Sequence, residues 1–412
     1  MSEFFSFFRG QTHPDVCKDM TCFDLHQHFA INRILLLLVG LWPYQQSNIV
    51  HLQKILFSSI LSSFILFQLT SFLTAKCTPD FIVKISCSVL LFAIYLILYN
   101  TFHFNTKHMI HSLDQLQHVC NELQDENEIA IIERYACIAE RKTIILTVFS
   151  SVFVILVQPT WPRIFDTFLL TNNSLPRHKI QIFTEYFIDQ ERYFYLIALH
   201  TFTAFLIGVI VTVATGTMIL TNVKHICGMF LVASYRIQQA IKIDDRRIQK
   251  NTICKDIICA INIHRKAMKF AEFILKDIEI MLFVLVLLSV SCLSLNLFRI
   301  FQITSFGGDI VELWLHLAYT SAIILYMFEA NLCGQEVTDH NKNIFYVTYN
   351  AHWYTTPLNI QKLIILLLQR GNKPFFLNVG GLFTVSLENF AMLLSASISY
   401  FTVMYSMQTK KK

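Results

Sequence analysis

The stretch "ENFAMLLSASISYFTVMYSMQTKKK" (Glu388–Lys412) is apolar, hydroxylated or aromatic almost up to its three closing lysines. Placed on a helix of 3.6 residues per turn, Glu388, Ser395, Ser399, Thr402 and Ser406 fall within one arc of about 80°. Val403 and Met407 sit beside that arc, and Phe390, Leu393, Leu394, Ile398 and Tyr405 take the other faces. Such a stripe has two readings. Its hydroxyls either bond across a helix bundle or to their own i−4 carbonyls, or they line water. An ionisable residue inside a span costs about 2.5–3.5 kcal/mol on insertion scales, so Glu388 must face protein or water rather than lipid. One helix cannot enclose a pore, so the second reading requires several subunits.

Working outward, the composition fixes the class. The chain has 412 residues, of which 54% are hydrophobic and 15% charged, with a mean hydropathy of +0.49. Soluble domains carry about 25% charged residues, so the chain reads as an integral membrane protein. The 11 cysteines are scattered and include no CxxC pair. Neither a disulfide framework nor a metal site is expected from them. The first residues, "MSEFFSFFRGQTHPD", lack the basic, apolar and small-residue succession of a signal peptide, so insertion falls to internal spans.

A helix needs about 20 apolar residues to cross a bilayer. Seven stretches meet or approach this: Ile55–Ala75, Ile85–Phe102, Thr143–Pro162, Tyr193–Val223, Ile280–Phe298, Leu313–Phe328 and Phe390–Gln408. Ile34–Trp42 and Leu363–Leu368 are too short, and read as an interfacial helix and a helix in a layer outside the membrane. Lysine and arginine concentrate on one side. Four lie in the N-terminal segment (Arg9, Lys18, Arg33, Lys54) and eleven between spans 4 and 5, against one, Arg299, between spans 5 and 6. That bias places the N-terminus in the cytosol and the C-terminus outside. The sequon Asn172-Asn173-Ser174 then lies outside, making Asn172 a glycosylation candidate.

The expected fold is all-α and polytopic, with seven transmembrane helices and long cytosolic helix extensions. Residues 1–54 form a cytosolic N-terminal segment and 55–338 hold spans 1–6. Residues 339–378 form a cytosolic packing segment, and 379–412 hold span 7 with a short extracellular tail. Leu113, Leu116, Val119 and Leu123 mark a helical extension over 103–142 that runs into span 3. Ile253, Ile257, Ile261, Met268 and Leu275 mark an amphipathic one within 224–276. Pro357 starts a further helix, which Gly371 to Pro374 stop.

The chemistry of enzymes is missing: there is no GxGxxG, P-loop, HExxH or GxSxG. His108 and His111 stand at i, i+3 without acidic or cysteine partners, and read as a solvated helix face rather than a metal site. The cytosolic basic excess answers to anionic headgroups of the bilayer and needs no nucleic acid. A G-protein-coupled receptor requires the opposite topology and an Asn-Pro-x-x-Tyr in span 7, and a secondary transporter requires broken spans in repeated halves. Neither pattern is visible.

Particular residues carry a resemblance. Gly334, Trp353-Tyr354, Lys362, Lys373-Pro374, Gly380-Gly381, Ser386, Phe390 and Ser399-Tyr400-Phe401-Thr402-Val403, with "INRILLLLVGLWP" (Ile31–Pro43), resemble the insect odorant receptor family. The resemblance implies a volatile small-molecule ligand and a poorly selective cation channel, with no enzyme activity and no cofactor. It implies a tetramer with a shared odorant co-receptor in the plasma membrane of a sensory dendrite. The last helix of each subunit would line the pore, with gate positions at Val403 and Met407 and a polar position at Ser406; Thr402 and Ser399 continue that stripe. It also implies an odorant pocket in the outer half of spans 2, 3, 4 and 6. There this sequence offers Phe92; Phe153, Val157 and Trp161; Tyr195, His200 and Thr203; and Tyr319. A homomeric, gustatory-type channel is the alternative, working without a co-receptor.

Overall fold

The computed structural model describes residues 29–45, 47–75, 77–123, 125–157, 184–189, 192–242, 250–307, 309–372 and 375–409. Ten helices of nine residues or more lie among them: α1 Ala30–Leu38, α2 Asn48–Leu69, α3 Pro79–Phe104, α4 Thr106–Asn121, α5 Glu126–Val157, α6 Phe194–Lys242, α7 Lys250–Phe306, α8 Ile310–Asn350, α9 Leu358–Gly371 and α10 Leu387–Thr409. Local chemistry sets several starts. Ser47, Thr78 and Asp309 each accept a hydrogen bond from a backbone N–H in the first turn of α2, α3 and α8, and Pro79 opens α3.

Six of the helices are long and apolar enough to cross a membrane: those spanning Asn48–Thr74, Pro79–Phe104, Phe194–Ile241, Ile253–Ser305, Ile310–Asn350 and Leu387–Met407. Helix α5 carries the described part of the remaining expected span. It is described to Val157, and the rest of the apolar stretch Thr143–Pro162 lies outside the described residues. Helices α6, α7 and α8 have 49, 57 and 41 residues. At 1.5 Å per residue that is about 74, 86 and 62 Å, two to three times a hydrocarbon core of ~30 Å. The long extensions expected from the amphipathic stretches are therefore present.

The segment 103–142 is not one helix. Helix α4 runs alongside α7, with His108 near Asp277 and Glu122 paired to Lys266. Helix α5 then returns beside α6, with Glu128 held by Arg236 and Tyr135 bonded to His340. The chain therefore reverses between α4 and α5.

One hydrophobic core extends from Phe29 and Leu36 near α1 to Leu393 in α10. A small satellite of Ala240, Ile257, Ile360 and Ile364 lies where α9 covers the far ends of α6 and α7. Ahead of α10 stands a two-stranded antiparallel ribbon, β1 Asn378–Val379 and β2 Phe383–Thr384, paired Asn378 to Thr384 and Val379 to Phe383. Gly380 and Gly381 turn it at φ +60° and +67°, a region that favours glycine.

Candidate functional site: an apolar cavity at the root of the last helix

A cavity of about 260 Å³ runs between α5, α6, α7 and α8 and reaches the β1–β2 ribbon and the start of α10. At one end stand Tyr95 and Phe153; at the other stand Gly334, Val385 and Asn389. Small residues make the room: Gly216, Ala271, Ala322 and Ala330 all line it. Most of its surface is aliphatic or aromatic, which suits a small apolar ligand fixed by few polar groups.

Several of the expected pocket residues meet at the Tyr95 end. Phe92 is fully buried, its ring 4.4 Å from Phe64 and 5.5 Å from Tyr95. Phe153 lines the cavity itself and lies 6.2 Å from Phe205, which is in turn 6.5 Å from Tyr319. Val157 is buried, and Thr203 is half-buried on α6. His200 is held on both nitrogens, Nε2 by the Ser63 hydroxyl at 3.1 Å and Nδ1 by the Tyr186 hydroxyl at 2.7 Å. Its edge packs on Phe64. Tyr195 points away from the interior and is 74% exposed. Trp161 and Asn172 lie outside the described residues. Among the described residues of the expected pocket, Phe153 is the one that lines the cavity, while Phe92 packs on Tyr95, Tyr319 on Phe205 and His200 on Phe64.

Reading the sequence passed over Tyr95, three residues beyond Phe92 on the same helix. Its ring lies against Gly208 of α6, where a Cβ would come within 2.0 Å of Cδ2. That small residue opposite a tyrosine was the available signal.

The other end of the cavity is a dock for the root of α10. Asn331 Oδ1 accepts from the Ser386 N–H at 3.3 Å and lies 3.5 Å from Asn389 Nδ2. One turn on, Gly334 lets Val385 approach so closely that a Cβ would lie 2.2 Å from the Val385 carbonyl oxygen. A further turn on, the Thr338 hydroxyl donates to the Phe375 carbonyl at 3.2 Å. From the opposite side, the Gly380 N–H donates to Glu279 Oε1 at 2.9 Å. The ribbon is therefore clamped between α7 and α8.

Beside the dock lies an ionic network. Lys142 of α5 is 3.6 Å from Glu329 and 3.9 Å from Glu336, both on α8, and Lys224 of α6 also pairs with Glu336. These side chains are between 6% and 23% exposed. Two acids seven residues apart share one helix face, and two lysines from neighbouring helices balance them. Near the opposite ends of the spans, Arg299 of α7 binds Glu312 at 2.7 Å and pairs with Asp80, while Lys84 reaches Glu312 at 3.2 Å.

Helix α10 is the least enclosed span, with 11% of its apolar window buried against 22–39% elsewhere. It rests on α7 and α8 through Phe401 and Tyr405 against Phe301, and Phe390 against Phe328. Ser397 is buried on that face. The expected pore positions Ser399, Thr402, Val403, Ser406 and Met407 are all exposed. Ser395, Ser399 and Thr402 donate to carbonyls of their own helix at 2.8–2.9 Å. Within one subunit the hydroxyls of Ser395, Ser399 and Thr402 therefore bond back to their own helix.

These features define a polytopic helical membrane protein with an internal apolar cavity abutting its last span. The model of the 7tm odorant receptor family matches residues 74–398, and the chain belongs to that family. It is 33% identical over 87 residues to odorant receptor 10 of Aedes albopictus, covering 21% of this chain and 23% of that one. It is 29% identical over 100 residues to odorant receptor Or2 of Anopheles gambiae, covering 24% and 26%. It is 23% identical over 108 residues to the odorant receptor coreceptor of Drosophila melanogaster, covering 26% and 22%. The matched stretches span about a quarter of the length of these relatives. The fold is similar to the olfactory receptor OR5 of Machilis hrabei in complex with eugenol, with a TM-score of 0.76 at 14% identity, over 92% of this chain and 98% of that one.

Proposed function

We propose that this chain is an odour-tuning subunit of a ligand-gated, poorly selective cation channel, assembled as a tetramer with the odorant co-receptor in the dendritic plasma membrane. The N-terminus is cytosolic in this reading, and α10 lines the pore with Val403 and Met407 at the gate and Ser406, Thr402 and Ser399 along its wall. A volatile molecule binds in the cavity, with Phe153 in contact and Phe92, Val157, Trp161, His200, Thr203 and Tyr319 shaping its outer end. Tyr195 is better placed for a neighbouring surface than for the ligand. The observation carrying the reading is that one cavity is lined both by the aromatic end of the bundle and by the ribbon and Asn389 at the root of α10. A ligand that fits the cavity better with the root in one position than another shifts the helix toward that position by its differential affinity. Moving a 1:99 equilibrium to 99:1 takes about 5.5 kcal/mol of such preference.

The test is whole-cell current in cells expressing this chain alone, and with the co-receptor, under a volatile panel with G-protein cycling blocked. Fast cation currents confined to the paired cells are expected. Currents from the chain alone would favour a homomeric channel. An absence of current in both, with the subunit at the surface, would count against a channel.

A further inference from the structure

A second cavity, of about 50 Å³, lies where α3 ends and α4 begins, against α6 and α7. A water needs about 10–15 Å³ of such space, so the chamber holds a few water-sized groups. Its lining is polar where that of the larger cavity is apolar: Asn105, His108, Ser112, Asn222 and Asp277 all contribute. His108 and Ser112 stand four apart on α4 and so share one face. Asn105 sits at the joint of α3 and α4, and its Nδ2 donates to the Asp277 carbonyl at 3.1 Å. His108 Nδ1 lies 3.2 Å from Asp277 Oδ1, an acidic partner from α7 that the spacing of His108 and His111 does not reveal. These two contacts gather the α3–α4 joint and α7 around one carboxylate. Asn222 comes from α6 and is 6% exposed. Among the described residues nothing donates to its enclosed Oδ1. A buried acceptor left without a donor is costly, so whatever enters the chamber has a partner waiting there.

We infer that this chamber holds an alkali cation, Na⁺ or K⁺, coordinated by the Asp277 carboxylate, Asn222 Oδ1, the Ser112 hydroxyl and water. Oxygen is the donor that hard cations take. The contact with His108 leaves the carboxylate room for an ion, since its two oxygens offer about four lone-pair sites. Among the described residues no three His, Cys, Asp or Glu side chains converge as a transition metal would need. Charge sets the valence. Asp277 is the one acid among the described residues lining the chamber, and it balances one positive charge. A divalent ion would leave a net charge beside Met109, Met218 and Phe273, where it would be poorly solvated. Two residues beyond Asp277, Glu279 holds the Gly380 N–H of the ribbon. A cation here therefore ties α4 and α6 to the stretch of α7 that clamps the ribbon. The inference depends neither on what the apolar cavity binds nor on whether the chain conducts.

The test is the thermal midpoint of the purified full-length chain in sodium, potassium or choline chloride, at constant ionic strength so that screening is equal in all three. A saturable rise of about 2 °C in the alkali salts over choline is expected, and the ion that half-saturates at the lower concentration is the occupant. Asp277→Asn and Asn222→Leu, each close in size to the residue replaced, should erase the difference between alkali and choline salts, whatever they do to the midpoint itself. Ser112→Ala, a change that α4 tolerates, should raise the half-saturating concentration about fivefold, the scale of one lost hydrogen bond. The inference is overturned if alkali and choline midpoints coincide, which would leave water as the occupant, or if Asp277→Asn keeps the difference. It is equally overturned if magnesium or calcium chloride gives the same rise at a far lower concentration, which would make the site divalent.

Discussion

A methyl group added at Gly208 would sit inside the Tyr95 ring, and one added at Gly334 would sit on the Val385 carbonyl oxygen. Overpacking a closed interior typically costs about 1–3 kcal/mol. Gly208→Ala and Gly334→Ala should each lower the thermal midpoint of the purified receptor in fluorescence-detected size exclusion, while Gly216→Ala, facing open cavity, should leave it unchanged. The two costly changes differ in kind. A tyrosine ring can tilt away, but a backbone carbonyl cannot, so Gly334→Ala should also shift the ligand concentration needed for half-maximal current. Val403→Ala and Met407→Ala belong at this scale too. Both side chains are exposed on the single subunit, so surface expression should hold while leak or gating of the assembled channel changes; unaltered currents in both would remove these residues from the pore.

At the scale of elements, the network of Lys142, Lys224, Glu329 and Glu336 ties three helices together beside the dock. Removing one partner of a buried pair leaves a charge uncompensated, at a cost of up to about 3–5 kcal/mol, lessened here because the groups keep some exposure. Lys142→Met should therefore destabilise the receptor, and Lys142→Met with Glu329→Gln should recover part of the loss. A thermal-shift double-mutant cycle showing simple additivity would mean the pair is not coupled. The elements themselves were largely legible in the sequence. Apolar stretches of about twenty residues announce spans, and the proline at 357 and glycine at 371 bracket α9 closely. The β1–β2 ribbon was not legible, because two-residue strands carry no periodicity for a pattern to reveal. Nor was the reversal between α4 and α5, since apolar spacing continues on both sides of it.

For the whole molecule, class and family were readable from composition, spans and the C-terminal motifs, whereas the cavity was not. A void arises where Gly216, Ala271, Ala322 and Ala330 come to face one another, and no single helix shows how its neighbours are rotated. The same reasoning explains why Phe92, Tyr319 and His200 do not line it: each is apolar or bonded and on the correct spans, but azimuth decides who touches the space. Topology can be checked at this scale. Asn172→Gln should abolish a glycosidase-sensitive mobility shift in the full-length protein, and a wild-type chain without that shift would leave orientation resting on the lysine and arginine bias alone.

The Asn331, Gly334 and Thr338 dock lies at the far end of the cavity from Phe153 and Tyr95. If the cavity is the odorant site and α10 the gate, as proposed, a lineage of such receptors can diverge in what it smells by exchanging side chains around the aromatic end, while Asn331, Gly334 and Thr338, which seat the root of α10, stay under a separate constraint. Novelty in detection and reliability in opening become traits that drift apart, each with its own tolerance for mutation.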